Sequence, residues 1–264
     1  MPGRFSRIEF NHARRQQPAT TQHPALGARL RSARSLLTEA RAAEQWGDFE
    51  RSLRLATRCL HEDRSVVVAW VQQVRMLVEL DECHEARLWC DKALEVFRGH
   101  GDLLAAKAQV CSRLADNNAA AACSDASLTA EGSSPWRWQA RGEVLLAQRQ
   151  PRHRDCFDKA LVDAAADWFD RVIIARILLH HRRAAEAAHY LQAGLALQPA
   201  HAPGWFLLGR CQLELGWDDA ADASFARCLQ LAPQYAPAQH GRDELDRRSL
   251  LGRPWRLLRG WWRR

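Results

Sequence analysis

The 264 residues are 47% hydrophobic and 26% charged, with a formal net charge of +7. That apolar fraction can build a sizeable core, yet no run approaches the ~18 apolar residues of a membrane-spanning helix. The eight cysteines form no CxxC pair and no framework spacing, which excludes a disulfide scaffold and fits thiols used as small buried side chains in a reducing cytoplasm. Arginine outnumbers lysine 35 to 3, a compositional bias that weakens any argument from a single arginine.

Residues 1–24 are polar and Arg-rich, interrupted by Pro18 and Pro24, and lack the apolar stretch of a signal peptide. They are expected to form a disordered basic arm. From residue 25 to residue 235 strand signals nearly vanish, and alanine and leucine recur at helical spacing. The clearest segment is WFLLGRCQLELGWDDAADASFARCLQLAP, residues 205–233, which holds Trp205, Leu208, Gly209, Gly216, Ala221, Phe225 and Pro233 in the order W-x2-L-G…G…A-x3-F…P. The pattern resembles the tetratricopeptide repeat (TPR), a 34-residue helix–turn–helix unit.

Counting back in steps of 34 gives repeats starting near Ala33, Val67, Gly101, Pro135, Trp168 and Ala202, with one residue deleted near Pro151. Position 8 is Ala40, Val74, Ala108, Gly142, Ala175 and Gly209. Position 20 is Ser52, Ala86, Ala120, His153, Ala187 and Ala221. Position 28 is leucine in all six, from Leu60 to Leu229. Small residues at fixed positions let two antiparallel helices approach closely. Trp70, Trp138 and Trp205 at position 4 would fill the space between layers, and a repeat that cannot cover both of its faces must stack on its neighbours. The third repeat, with DNNAAAACSDAS, is Ala-rich and weak. Arg171 replaces the position-4 aromatic in the fifth, and His153 stands at a small-residue position. The resemblance implies an all-α, right-handed TPR superhelical solenoid of about six helix-turn-helix repeats plus a C-terminal capping helix, for which the amphipathic residues 236–250 are suited.

No catalytic spacing occurs: there is no HExxH, G-x-S-x-G, GxxxxGK or GxGxxG. Neither a cofactor nor a metal is expected: His180 and His181 fall at the turn between two helices, where a solvated turn is favoured over a metal site. Cys59, Cys90, Cys111 and Cys228 occupy inward positions. Cys83, in a turn, is the thiol expected to be exposed.

In TPR proteins the first helices line the concave face, and the resemblance carries positions 2, 5, 9, 12 and 13 into it. Position 9 here includes Arg41, Arg75, Arg176 and Arg210, and position 5 includes Val71, Val172 and Phe206. Guanidinium groups along an apolar floor suit a protein or peptide partner carrying acidic groups, since arginine holds carboxylates bidentately. The competing account is that these arginines pair with acids of the array itself, such as Glu44 or Glu143.

The charge is uneven. Residues 1–32 carry +5 and residues 247–264 carry +7, which leaves −5 of the total for the array between them. The tail, residues 251–264, reads amphipathic on a wheel of about 100° per residue: Trp255, Leu258, Trp261 and Trp262 on one side, Arg256, Arg259 and Arg263 on the other. That pattern suits contact with an anionic membrane surface or with a protein, and less well with nucleic acid.

The expected function is a non-enzymatic, cytoplasmic scaffold or adaptor, tethered by its tail to a membrane surface or a larger assembly. Two alternatives are a regulatory or substrate-presenting subunit of a separate enzyme, such as a sulfotransferase or glycosyltransferase, and a nucleic-acid-associated factor. The sequence leaves the oligomeric state open.

Overall fold

The computed structural model describes the backbone of residues 23–261 and the side chains of residues 32–248. Among the described residues there are thirteen α-helices and no strand. The chain divides into two compact units at Ala165 and Ala166. The first contains α1 (His23–Gln45), α2 (Phe49–Glu62), α3 (Val67–Glu79), α4 (Cys83–Val96), α5 (Gly101–Arg113), α6 (Asn117–Thr129), α7 (Pro135–Ala147) and α8 (His153–Val162). The second contains α9 (Trp168–His180), α10 (Ala184–Leu197), α11 (Ala202–Glu214), α12 (Asp218–Leu231) and α13 (Ala236–Trp261). Odd-numbered helices up to α11 pair with the even-numbered helix that follows, and consecutive pairs stack within each unit, as in an all-α TPR solenoid.

The turn within each pair has one geometry. Gly47, Asp81, Ala115, Arg149, Arg182 and Gly216 all occupy position 15, and all adopt φ between 57° and 77°. Each ends its first helix in a left-handed cap. In the first pair Gly47 N–H donates to Glu44 C=O and Asp48 N–H to Ala43 C=O. In the sixth, Gly216 donates to Leu213 and Trp217 to Gln212. Only the first and last pairs use glycine, so four side chains carry the strain of that conformation. Two of the second helices start on a side-chain cap: Asp48 Oδ1 accepts from Arg51 N–H and Asp116 Oδ1 from Ala119 N–H.

Packing within a pair depends on matched volumes at positions 8 and 24. Gly142 and Gly209 lie so close to the rings of Phe157 and Phe225 that a Cβ on either glycine would collide with the ring. Where position 8 is larger, position 24 is smaller, as in Ala40 with Ala56, Val74 with Cys90 and Ala108 with Ser124. Each couple fills one slot, as close packing demands.

In the second and sixth pairs a tryptophan at position 4 ties the pair to the loop before it. Trp70 Nε1–H donates to Arg64 C=O and Trp205 Nε1–H to Pro199 C=O, each at 2.9 Å. In α13, Gln239 stands at the equivalent place and donates to Pro233 C=O at 2.9 Å. α13 therefore keeps the loop anchor but replaces an indole by an exposed amide. α13 continues as helix from Ala236 through Trp261, passing Pro254.

The weak stretch of the sequence is held by polar bonds. α6 buries only Ala120, Ser124 and Ser127. Arg137, itself buried, compensates at the loop that follows: Nε donates to Asp102 Oδ1 at 2.9 Å, Nη2 to Glu131 C=O at 2.9 Å, and Nη1 to the carbonyls of Ala130 and Gly132. Charge-assisted bonds to a buried guanidinium stand in for apolar contact there. His153 opens α8 as a buried ring, with Nδ1 2.9 Å from Gln150 C=O and its edge toward Phe157.

Candidate partner-binding groove

In the first unit the first helices lie side by side: α1 packs on α3, α3 on α5 and α5 on α7. Between α1 and α3 they enclose an open cleft of about 690 Å³. Its walls include Arg34, Leu37 and Arg41 from α1, and Val68, Val71 and Arg75 from α3. These are positions 2, 5 and 9 of two consecutive repeats. They share a face because residues three and four apart align along a helix. Val66, Thr38 and Gln72 complete the rim. The floor is apolar, and Val68 is 59% exposed. Arg34 and Arg41 are exposed on the α1 wall.

Arg75 is different. Its Nη2 lies 2.7 Å from Glu44 Oε1, and its guanidinium carbon sits 4.5 Å from the Trp136 ring centroid. Glu44, almost fully buried, also accepts from Gln72 Nε2 at 2.9 Å, and Gln72 donates in turn to Ser52. Arg75 therefore forms a fixed positive shelf at the base of the cleft, with part of its hydrogen-bonding capacity already used. A second network lies deeper in the same unit. Buried Glu143 accepts from Gln109 Nε2 at 2.6 Å and from Arg113 Nε at 2.8 Å, and Arg113 Nη1 reaches Val78 C=O. Of the two carboxylates named as internal partners in the sequence, Glu44 pairs with a position-9 arginine, Arg75, whereas Glu143 takes Arg113, at position 13.

Of the expected groove residues, Arg41, Val71 and Arg75 thus meet in one cleft. Arg176, Val172, Arg210 and Phe206 belong to the second unit. There Arg176 is buried, 5.2 Å from the Phe169 ring, and Val172 is buried beside it in α9. Phe206 packs between Phe225 and Tyr235, with centroids 6.0 and 5.6 Å away, and joins the core that α13 closes. Burial there pushes the Tyr235 hydroxyl up to about 12. Arg210 is exposed. Sequence reasoning missed Arg34, Val68 and Trp136, all at position 2; reading that column with positions 5 and 9 would have found them. The tail residues Trp255, Arg256, Leu258, Arg259 and Trp261 lie in the backbone run of α13, but their side chains lie outside the described residues, as do Trp262 and Arg263 altogether.

The thiols need one correction. Cys83 is buried, not exposed, because it begins α4 with its side chain turned inward, and burial raises its pKa. Cys123 is the half-buried one.

Residues 202–235 match the tetratricopeptide repeat family profile. The same helix pair, with its left-handed turn at position 15, occurs six times among the described residues. The chain is a tetratricopeptide-repeat protein. No curated protein matches it significantly. Solved structures similar to it include YrrB, a TPR protein with an unusual peptide-binding site, at 18% identity over 71% of this chain and 97% of that one, with a TM-score of 0.41. Pseudomonas aeruginosa PilF is similar at 17% identity, covering 82% and 99%, with a TM-score of 0.43. A thermophilic TPR protein of Thermus thermophilus is similar at 14% identity, covering 81% and 98%, with a TM-score of 0.47. TPR proteins are in general protein–protein interaction scaffolds. Among the described residues no helix is long and apolar enough to cross a membrane.

Proposed function

We propose that this TPR protein is a non-enzymatic scaffold or adaptor that holds a peptide segment of a protein partner in the cleft between α1 and α3. The observation that carries the reading is the lining of that cleft: an apolar floor of Leu37, Val68 and Val71 between Arg34 and Arg41 on one side and Arg75 on the other. Such a surface rewards a segment that sets an apolar side chain beside a carboxylate. The apolar group gains by burial against the valines, and the carboxylate gains charge-assisted bonds to guanidinium. An unpaired carboxylate or a purely apolar segment would gain only one of the two.

The test is selection of binders from a random peptide display library on the full chain. Selected sequences are expected to combine an acidic residue with a neighbouring large apolar one. Arg34→Glu with Arg41→Glu should abolish their capture while leaving the thermal transition in place. Selected peptides without acids, or capture unchanged in the double variant, would refute the reading.

The tail supports a second element of the proposal, a tether to an anionic membrane surface. Its Trp/Leu and Arg faces are separated on the helical wheel, and each basic residue near such a surface contributes roughly 1 kcal/mol. Flotation with anionic liposomes should be strong for the full chain and lost for a chain ending at Leu251; equal flotation of the two would remove the tether.

A further inference from the structure

The third pair carries a feature that the groove does not use. Cys111 stands at position 11 of α5 and Cys123 at position 23 of α6, on facing sides of one antiparallel pair. The two side chains pack in the same small cluster, with Ala108, Ala120 and Val144, and each thiol shifts the titration of the other. The facing of positions 11 and 23 has an independent witness. In the sixth pair the same two positions are Gln212 and Ser224, and Ser224 Oγ donates to Gln212 Oε1 at 2.6 Å. Elsewhere one or both of these positions holds a large apolar group, as with Leu77 and Trp89 or Leu178 and Tyr190. Only the third pair sets two thiols there.

The two sulfurs are unequal. Cys111 is buried, while Cys123 is half-buried. The Cys111 side chain holds the Cys123 thiol down to about 7 against the opposing effect of burial, with the Lys107 ammonium assisting. Lys107 lies one turn before Cys111 and is fixed by Asp91 at 2.7 Å. Cys123 and its own burial push the Cys111 thiol up. A nucleophilic, reachable sulfur is thus backed by a protonated, sheltered one, the arrangement of an attacking thiol and a resolving thiol.

We propose that Cys111 and Cys123 form an oxidisable dithiol that closes to a disulfide across the α5–α6 pair when the protein meets hydrogen peroxide. The Cys123 thiolate attacks one peroxide oxygen; the S–O bond forms, the O–O bond breaks, and hydroxide leaves. Cys111 sulfur then displaces hydroxide from the Cys123 sulfenic acid; the S–S bond forms, the S–O bond breaks, and the Cys111 proton leaves with that hydroxide as water. Two thiols are oxidised by two electrons and one peroxide is reduced to two waters. The product would tie α6, whose buried face is only Ala120, Ser124 and Ser127, covalently to α5.

The experiment is peptide mapping of the full chain before and after hydrogen peroxide, with free thiols alkylated first. The expected result is one linked peptide joining Cys111 to Cys123, lighter by two hydrogens and lost on reduction. Cys123→Ser should eliminate the link, and Cys111→Ser should leave a Cys123 sulfenic acid that a dimedone probe captures. The map of the unsubstituted chain stands without either variant. Oxidation of Cys123 to sulfinic or sulfonic acid without the link, links spread among other cysteines, or no change at either thiol would each overturn the proposal.

Discussion

Arg75 Nη2 and Glu44 Oε1 lie 2.7 Å apart, joining α3 to α1 beneath the cleft. The pair is nearly desolvated, with the arginine side chain 13% and the glutamate 2% exposed. Removing one member strands the other. Arg75→Met should cost about 3 kcal/mol of unfolding free energy, because it removes the cation that balances the buried Glu44 carboxylate. Glu44→Leu with Arg75→Met should recover most of that loss, since an apolar couple has no charge to strand. Urea titration of the three variants separates the outcomes; a double variant no better than Arg75→Met would show that packing against Trp136 dominates.

Gly209→Ala tests the volume rule. The added methyl would lie within 2.5 Å of the Phe225 ring if nothing moved. Overpacking of this kind costs about 1–3 kcal/mol, more than the intrinsic helix preference for alanine returns. Phe225→Leu in the same background should restore part of the loss, and calorimetry of single and double variants would show it.

Ala115→Gly should be stabilising, although it removes a side chain. Ala115 has φ 60°, where a Cβ is strained and glycine is not. A gain of up to about 1 kcal/mol is expected. Ala108→Gly, in the helix interior of the same pair, should instead lose about 1 kcal/mol. Equal urea midpoints for the two substitutions would contradict the turn assignment.

Alkylation of Cys123 should depend on pH in a defined direction. The thiolate is the reactive form, and its pKa is lowered to about 7 by Cys111 and Lys107, against Asp91 and Asp116. The rate should rise from acid pH and level off above about 7. Cys111→Ala or Lys107→Met should move the midpoint upward, toward an ordinary thiol. Cys90, deep in the core with its pKa raised by burial, should remain unlabelled in the native chain.

Much of the fold could be read before any coordinates. Helix pairing follows from columns such as Leu60 to Leu229 and from small residues at position 8, because only a fixed repeat makes every pair meet its neighbour in the same way. The shared turn at position 15 was not legible: Asp81, Ala115, Arg149 and Arg182 give no glycine signal, and the conformation is imposed by the helices on either side. The cleft was legible in part. Position numbers place Arg41, Val71 and Arg75 on one face, but they do not say which arginine is already engaged.

The amino-acid sequence by itself determined the helices, their pairing and the 34-residue pitch, because these depend on periodic side-chain size and on local caps. Tertiary structure alone decided the fate of individual charges and thiols. Glu44 meets Arg75, and Glu143 meets Gln109 and Arg113, across separations of 30 to 34 residues, where a shift of one side chain changes the partner. The same holds for Cys83, turned into the core, and for Cys123, set against Cys111. Backbone periodicity is a sum over many residues and survives local exceptions, whereas a hydrogen bond is a short-range contact between two particular atoms.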